Sequence, residues 1–360
     1  MKNHDCLIVG ASFAGLACAQ AAAQRGLSVT VIERKHDVGA KLHTTGIIVK
    51  DVVDTVALLD DMPAKLVRRI DGVRLYSKRM RTVDLHSPGY YFLASDTPEL
   101  MRWLAQRAES AGAHIEYGAN FSTVTRTMHG YDCGQLGHTR YLVGADGPLS
   151  TVAQRLSLGR VKDTLFGIEY EFDNVELQEP NLLHCFLDRS IAPGYIGWVL
   201  QGVRSVQVGL ARRVYGSQRD VNPSMQMFLE KIDHLFGFKG LTPSSIRAGH
   251  IPCGGVVSPT ATDRAILIGD AAGMVSPVTA GGIHTALFHG QQVGHAITDF
   301  LAGRVADPST WLPSTYPRYR LKRVIRSLYD IIPSDIVFDL MLNTQVLRSA
   351  AKVVYFHARK

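Results

Sequence analysis

Cysteine is scarce in this chain. There are only 5 in 360 residues (Cys6, Cys18, Cys133, Cys185 and Cys253), an odd number with no CxxC pair. That pattern argues against a disulfide framework or a zinc module. It favours a reducing compartment, so a cytoplasmic location is expected. Long apolar runs are also missing, and none approaches the roughly 18 residues of a membrane-spanning helix. The opening MKNHDCLIVG turns apolar only after Asp5 and then runs into glycine, which reads as a buried strand rather than a signal peptide. Charge of one sign is not abundant either. With 39 basic and 32 acidic residues the net charge is +7, a mild excess that suits an anionic substrate or a membrane surface but leaves no nucleic-acid footprint. There is no internal repeat or low-complexity segment, and 46% hydrophobic against 20% charged residues argues against disorder.

The length suggests two structural units, with enough chain to bury about 75% of its unfolded surface without staples. Cys6–Val9 is a short apolar run ending in Gly10-Ala11-Ser12-Phe13-Ala14-Gly15. An alanine-rich helix follows over Leu16–Arg25, Gly26 stops it, and Ser28–Ile32 is a β-branched strand closed by Glu33. Together they form one βαβ unit. Thr97-Pro98-Glu99 reads as an N-cap and a first-turn proline opening a middle helix. Tyr141–Ala145 is a further buried strand. From Leu165 to about Arg212 the period becomes two. Phe166, Ile168, Tyr170 and Phe172 alternate with Gly167, Glu169, Glu171 and Asp173, and apolar runs follow at 183–187, 195–200 and 206–210. This predicts a sheet with one covered and one open face. Ala265–Ile268 returns to the first pattern, and a helix is expected over about 282–301.

Two motifs carry chemistry. In Gly10-x-Ser12-x-x-Gly15, Gly10 permits the tight turn, position 12 lets the backbone approach a pyrophosphate, and Gly15 allows close helix packing. Phosphates then sit on free N–H groups at the helix start. Glu33 lies where an acid accepts hydrogen bonds from ribose hydroxyls and would repel a 2′-phosphate, so the nucleotide is FAD- or NAD-like. In Gly269-Asp270-Ala271-Ala272-Gly273, then Pro277 and Gly281-Gly282-Ile283, a strand delivers an acid at its end. A second glycine pair then opens a helix whose positive end stabilises negative charge. An Asp cap followed by small residues is the structural alternative for the second motif.

With these residues in view, the chain resembles the FAD-dependent oxidoreductases of the glutathione-reductase-2 type, which include p-hydroxybenzoate-hydroxylase-like monooxygenases. Within them it most resembles the geranylgeranyl reductase family. The likeness rests on GASFAG at Gly10–Gly15, Glu33-Arg34, GADGPLS at Gly144–Ser150 and the long stretch Ile251–Ile283 with its GDAAG. The resemblance implies cofactor contacts from Gly10, Ser12, Phe13, Ala14 and Gly15, with Glu33 on the adenosine ribose beside Arg34. It also implies contacts from Lys41 and Thr45 in the loop after the glutamate strand. Asp146 would support the cofactor domain, and Asp270, with Gly273 and Pro277, would meet the ribityl–pyrophosphate region. Gly281, Gly282 and Ile283 would place N–H groups at the pyrimidine edge of the flavin, where the reduced ring is anionic.

Departures from the family pattern are informative. Thr97 stands where members often carry a phosphate-binding Arg. Ala153 replaces an expected Arg, with Arg155 near. The 41–46 loop has no cysteine. The reductases' PxxYxWxFP motif reads Pro193-Gly194-Tyr195-Ile196-Gly197-Trp198-Val199-Leu200-Gln201. Tyr195 and Trp198, three apart on one expected strand, should face opposite sides of the sheet, so only one would line a substrate cavity, with Trp198 favoured. Cys185 is expected in packing or facing the flavin. His284, His289 and His295 share a helix without ligand spacing, and no metal site is expected. Arg318, Arg320, Lys322, Arg323 and Arg326 interleave with apolar residues on a basic amphipathic helix, either a solvated face packed on the cofactor domain or a peripheral membrane contact.

The resulting expectation is an α/β flavoprotein. A discontinuous Rossmann-like FAD-binding domain spans 1–160 and 250–305. A mostly antiparallel substrate sheet occupies 161–249, with part of 50–95 available to join it, and 306–360 form a C-terminal helical region. The expected activity is two-electron reduction or dehydrogenation of an apolar, prenylated or lipid-like substrate. Electrons would come from NAD(P)H bound transiently or from a reduced ferredoxin-like protein. A flavin monooxygenase and a non-catalytic redox-sensing flavoprotein are the alternatives.

Overall fold

A computed structural model describes residues 2–213 and 221–331. The first layer is an eight-stranded sheet with a parallel core of five strands and antiparallel strands at its margins. Its central strand, Asn3–Val9, lies between His138–Gly144 on one side and Val29–Glu33 on the other. His114–Tyr117 and Ala265–Leu267 extend the sheet outward. Segments from three regions of the chain therefore build one nucleotide-type sheet, and its strands are continuous apolar runs because both faces are covered. The Phe13–Ala23 helix is buried along its whole length, as its alanine-rich sequence allows. The Ile283–Leu301 helix packs along it in parallel. A Cβ on Gly290 would lie 2.5 Å from Ala14 O, and one on Gly294 would lie 2.5 Å from Cys18 O. The two backbones therefore touch directly.

The second sheet has seven strands. From one edge they are Ser245–Pro252, Thr164–Asp173, Ser205–Arg213, Gly197–Gln201, Leu182–Leu187, Gly72–Ser77 and Thr82–Leu85. Its pairing is antiparallel except where Leu182–Leu187 runs parallel to Gly72–Ser77. Two sequence expectations need correction here. The sheet has no open face. The Asn222–Phe236 helix covers one side through Met225, Phe228 and Ile232. On the other side, Ile47, Val49, Ile70, Phe92 and Ala94 of a small three-stranded sheet pack on Leu75, Leu183, Cys185 and Leu200. Cys185 is thus a packing residue in this second core. The middle helix, Thr97–Ser110, is capped by Asp96, whose carboxylate accepts from Glu99 N, rather than by Thr97. Thr97 is fully buried.

The basic helix is described over Arg320–Ile331, and residues 332–360 of the expected C-terminal region lie outside the described residues. Its Arg326 is buried. It donates to Gly194 O and Asp330 (2.6 Å each), and Asp330 also pairs with Arg213 at 2.8 Å. That face docks on the turn before Trp198. Leu321, Val324 and Leu328 are exposed on the helix instead.

Candidate active site

The glycine turn is built by close approach. Gly10 has φ +101°, and a Cβ there would sit 2.5 Å from Ala145 O. A Cβ on Gly15 would sit 2.1 Å from Gly10 O. Only glycine fits either position. Ser12 is the helix N-cap, extended at φ −83° and ψ 174°, with Oγ accepting from Gly15 N at 3.3 Å. Its presence in place of a second glycine therefore serves the helix start. Phe13 and Ala14 are buried in the first turn, and Arg34 is exposed. Glu33 ends its strand next to this turn, and its two oxygens accept from Ala11 N and Lys35 N, both at 3.0 Å. Each carboxylate oxygen keeps a lone pair for a hydroxyl donor.

The second motif lies alongside. Ile283–Leu301 begins at Gly282 with no capping side chain, so its first N–H groups are free for a ligand. Pairing Ala14 with Gly290 places the start of this helix about six residues beyond the start of Phe13–Ala23. At 1.5 Å per residue that is a stagger of roughly 9 Å. Two positive helix ends thus point the same way at different depths. Asp270 follows the Ala265–Leu267 strand in a short turn, and Gly273 takes φ +71°. Burial pushes its carboxyl up from 3.8 to about 6, and among the described residues no donor reaches it. Pro277 is buried, and Gly281, Gly282 and Ile283 are at least partly exposed. An acid lacking a donor, two staggered helix ends and a turn that admits no Cβ form a cradle that fits FAD. Asp270 suits ribityl hydroxyls, Glu33 suits the ribose, and the helix ends suit the pyrophosphate and the pyrimidine edge. Asp146, by contrast, spends its carboxylate on Ser150 Oγ, Thr151 N and Val152 N (2.6, 2.6 and 3.1 Å), fixing the start of the Thr151–Arg155 helix.

The loop after the glutamate strand connects cradle and substrate sheet. Lys41 is exposed, with φ +47°. His43 Nδ1 donates to Ala248 O at 2.5 Å, and its ring lies over Gly249. Thr97 Oγ1 donates to Thr45 O (3.1 Å), and Ser95 Oγ donates to Gly46 O (2.8 Å). The residue replacing an expected arginine therefore anchors this loop. Thr45 Oγ1 itself reaches across to donate to Glu169 Oε2 at 2.5 Å.

Tyr195 and Trp198 do not share a strand. The strand starts at Gly197 and Tyr195 lies in the turn before it, so alternation does not separate them. Both pack around Leu165, Ala211 and Cys253, and both are partly exposed. The Tyr195 hydroxyl donates to Thr279 O at 2.6 Å, tying the substrate sheet to the turn that opens the Ile283–Leu301 helix. The Trp198 ring fills the space over its cross-strand partner Gly209, and Nε1 donates to Glu169 Oε2 at 2.9 Å.

Sequence reasoning missed the polar group beneath these residues. Glu169 and Glu171 read as the outward positions of a period-two strand, yet Glu169 is buried with Arg247 and Gln207, and Glu171 is partly buried beside them. Arg247 donates to Glu171 Oε1 (2.6 Å) and Thr44 O (3.1 Å). Its other ionic neighbour, Glu169 Oε1, is 3.8 Å away. The available signal was Arg247, a cation inside an otherwise strand-like segment opposite two acids.

Comparison with known proteins agrees with this geometry. The FAD binding domain family matches residues 3–328. Digeranylgeranylglycerophospholipid reductase 3 of Methanosphaera stadtmanae is 26% identical over 85% of this chain and 78% of its own length. The reductase of the same name from Methanocaldococcus jannaschii is 25% identical over 94% and 86%. Among solved structures, a geranylgeranyl bacteriochlorophyll reductase-like protein from Thermoplasma acidophilum superposes with a TM-score of 0.83. It is 19% identical, with 98% of this chain and 96% of that one covered. Aklavinone-11 hydroxylase in complex with FAD and aklavinone has a TM-score of 0.68 at 19% identity, over 85% of this chain and 64% of that one. The fold is thus shared with a reductase-like protein and with an FAD-bound hydroxylase, while the relatives matched over most of the chain are named as reductases. The chain belongs to the FAD binding domain family and is similar along most of its length to proteins named as geranylgeranyl-type reductases.

Proposed function

We propose that this protein saturates carbon–carbon double bonds in a prenylated lipid. The observation that carries this reading is the pair of partly exposed rings of Tyr195 and Trp198, packed over buried Leu165, Ala211 and Cys253. It borders the Thr279–Ile283 turn of the cradle through the Tyr195–Thr279 bond. A rigid aromatic surface of this kind suits an isoprenoid chain. The relatives' names, which specify geranylgeranyl lipids, support the same class. FAD when bound supplies the two-electron chemistry. Glu33, Asp270 and the two helix ends hold it, and the 41–46 loop and the sheet hold the chain to be reduced. The sequence contains one dinucleotide-type turn, which is consistent with a donor that visits rather than stays, either NAD(P)H or a reduced ferredoxin-like protein. Exposed Leu321, Val324 and Leu328, flanked by exposed Arg318, Arg320 and Arg323, support a peripheral membrane contact through which a lipid substrate enters.

The test is anaerobic reduction of purified protein with NADH, NADPH and dithionite, followed by geranylgeranyl lipids or by oxygen. Reoxidation by the lipid with a saturated product is expected. An oxygen-dependent hydroxylated product would replace the proposal with a monooxygenase. Bound FAD without any substrate-dependent turnover would make the protein a redox-sensing module.

A further inference from the structure

The Glu169, Glu171 and Arg247 layer holds one acid and one cation away from water, with a second, partly exposed acid at its edge. Glu169 is 4% exposed and Arg247 is 7% exposed. The guanidinium is committed to Glu171 and the Thr44 carbonyl, and it stays 3.8 Å from Glu169. The other titratable group nearby is His43, whose exposed ring is turned to Ala248 O and Gly249. With both acids ionised, the layer would carry an unbalanced negative charge in a low-dielectric setting. Retaining one proton relieves this, and the fully buried acid, which is also the one farther from the guanidinium, is the one to retain it. Burial raises the Glu169 carboxyl accordingly.

The hydrogen bonds decide where that proton sits. Oε2 already accepts from Thr45 Oγ1 and Trp198 Nε1. Oε1 is buried with no hydrogen-bond partner among the described residues, and so is Gln207 Oε1 on the same sheet face. The proton therefore belongs on Oε1. Glu169 is gripped from one side by the loop that leaves the cofactor sheet and from the other by the indole of the apolar substrate group.

We propose that Glu169 is held as the neutral acid and is the proton donor for double-bond saturation, an inference that rests on the reductase reading above. Saturating one C=C bond takes up two electrons and two hydrogens. One carbon would take a hydride carrying both electrons, the chemistry that reduced FAD would supply when bound. The other carbon receives a proton from Glu169 Oε1, whose O–H bond breaks as the new C–H bond forms. The carboxylate left behind is stabilised by the existing donors Thr45 and Trp198 and by Arg247, and it regains a proton from water between turnovers. Thr45, Trp198 and Arg247 act here as positioning residues.

Two measurements test this. In a Trp103→Phe/Trp311→Phe protein, Trp198 is the sole tryptophan among the 3 in the sequence, and its indole is bonded to Glu169. Its emission should titrate with a midpoint well above the ordinary Glu value of about 4.3, and Glu169→Gln should abolish that transition. A midpoint at or below the ordinary value, or a transition that survives Glu169→Gln, overturns the proposal. If Glu169→Gln fails to fold, the parent titration alone decides the protonation state. In single turnover, folded Glu169→Gln should bind FAD and accept electrons from dithionite normally, yet pass them to a geranylgeranyl lipid about 10²-fold or more slowly. An unimpaired rate overturns the proposal. If the wild-type protein saturates no prenyl lipid, the activity reading fails by itself, while the Trp198 titration still reports on the acid.

Discussion

Asp270 offers a two-sided prediction because the cradle and the cofactor ask opposite things of it. In the protein alone its carboxyl rises from 3.8 to about 6, with burial as the cause and no donor to offset it. The folded state therefore binds this proton more tightly than the unfolded state does. Stability assigned to the group is present below pH 3.8 and is lost as pH rises through about 6. At 1.36 kcal/mol per pH unit, the penalty at pH 7 is at most about 3 kcal/mol, reduced to the extent that water reaches the partly exposed carboxylate. Asp270→Asn removes the charge and should stabilise the FAD-free protein at pH 7 by one to a few kcal/mol, with no gain at pH 4. FAD supplies the missing donors, so the same substitution should weaken FAD binding by about 1.5–3 kcal/mol, roughly one to two orders of magnitude in Kd. Binding to the wild type should release protons between pH 5 and 6.5. Urea unfolding of the stripped protein at two pH values gives the first quantity. Calorimetry in buffers of different ionisation enthalpy gives the others. An Asn variant that neither stabilises the stripped protein nor loses FAD affinity would show that Asp270 only shapes its turn.

Gly15→Ala places a methyl 2.1 Å from Gly10 O, so purified variant protein should be colourless and should not regain FAD on dialysis; full flavin occupancy would contradict the close packing described. Tyr195→Phe removes one hydrogen bond to Thr279 O and should cost about 0.5–1.5 kcal/mol in denaturant unfolding while leaving FAD content near normal. Loss of FAD on that change would mean that the turn cannot hold its shape without the sheet. Leu321→Asp with Leu328→Asp should abolish co-sedimentation with anionic vesicles without changing the melting temperature, because both side chains are exposed; unchanged sedimentation would remove the membrane contact from the reading.

The nucleotide half was legible because its determinants are local. Gly10, Gly15 and Glu33 lie within one βαβ unit, and continuous apolar strands such as Leu142–Val143 leave little choice of layer. The substrate sheet was legible as strands but not in its faces. Period-two spacing says which residues share a side, not what lies against that side. The cover for Cys185 and Leu200 comes from Ile47, Phe92 and Ala94, far away in sequence and on strands of only three or four residues. For the same reason Glu169 looked solvated, since its partners Thr45 and Arg247 lie 124 positions before it and 78 after it. Tyr195 was misplaced by two residues, because the turn at Ala192–Tyr195 delays the strand to Gly197.

The backbone contact between Phe13–Ala23 and Ile283–Leu301 has a consequence for biogenesis. Ala14 meets Gly290 and Cys18 meets Gly294 without side chains in between, so the spacing of the two positive helix ends is set by main chain alone. One half of that joint is translated more than 250 residues before the other. A ribosome-bound chain thus carries a complete glycine turn early on but lacks the slot that measures out the length of the cofactor. Flavin capture should accordingly follow emergence of the 283–301 segment, and nascent chains stalled before it should show no flavin absorbance.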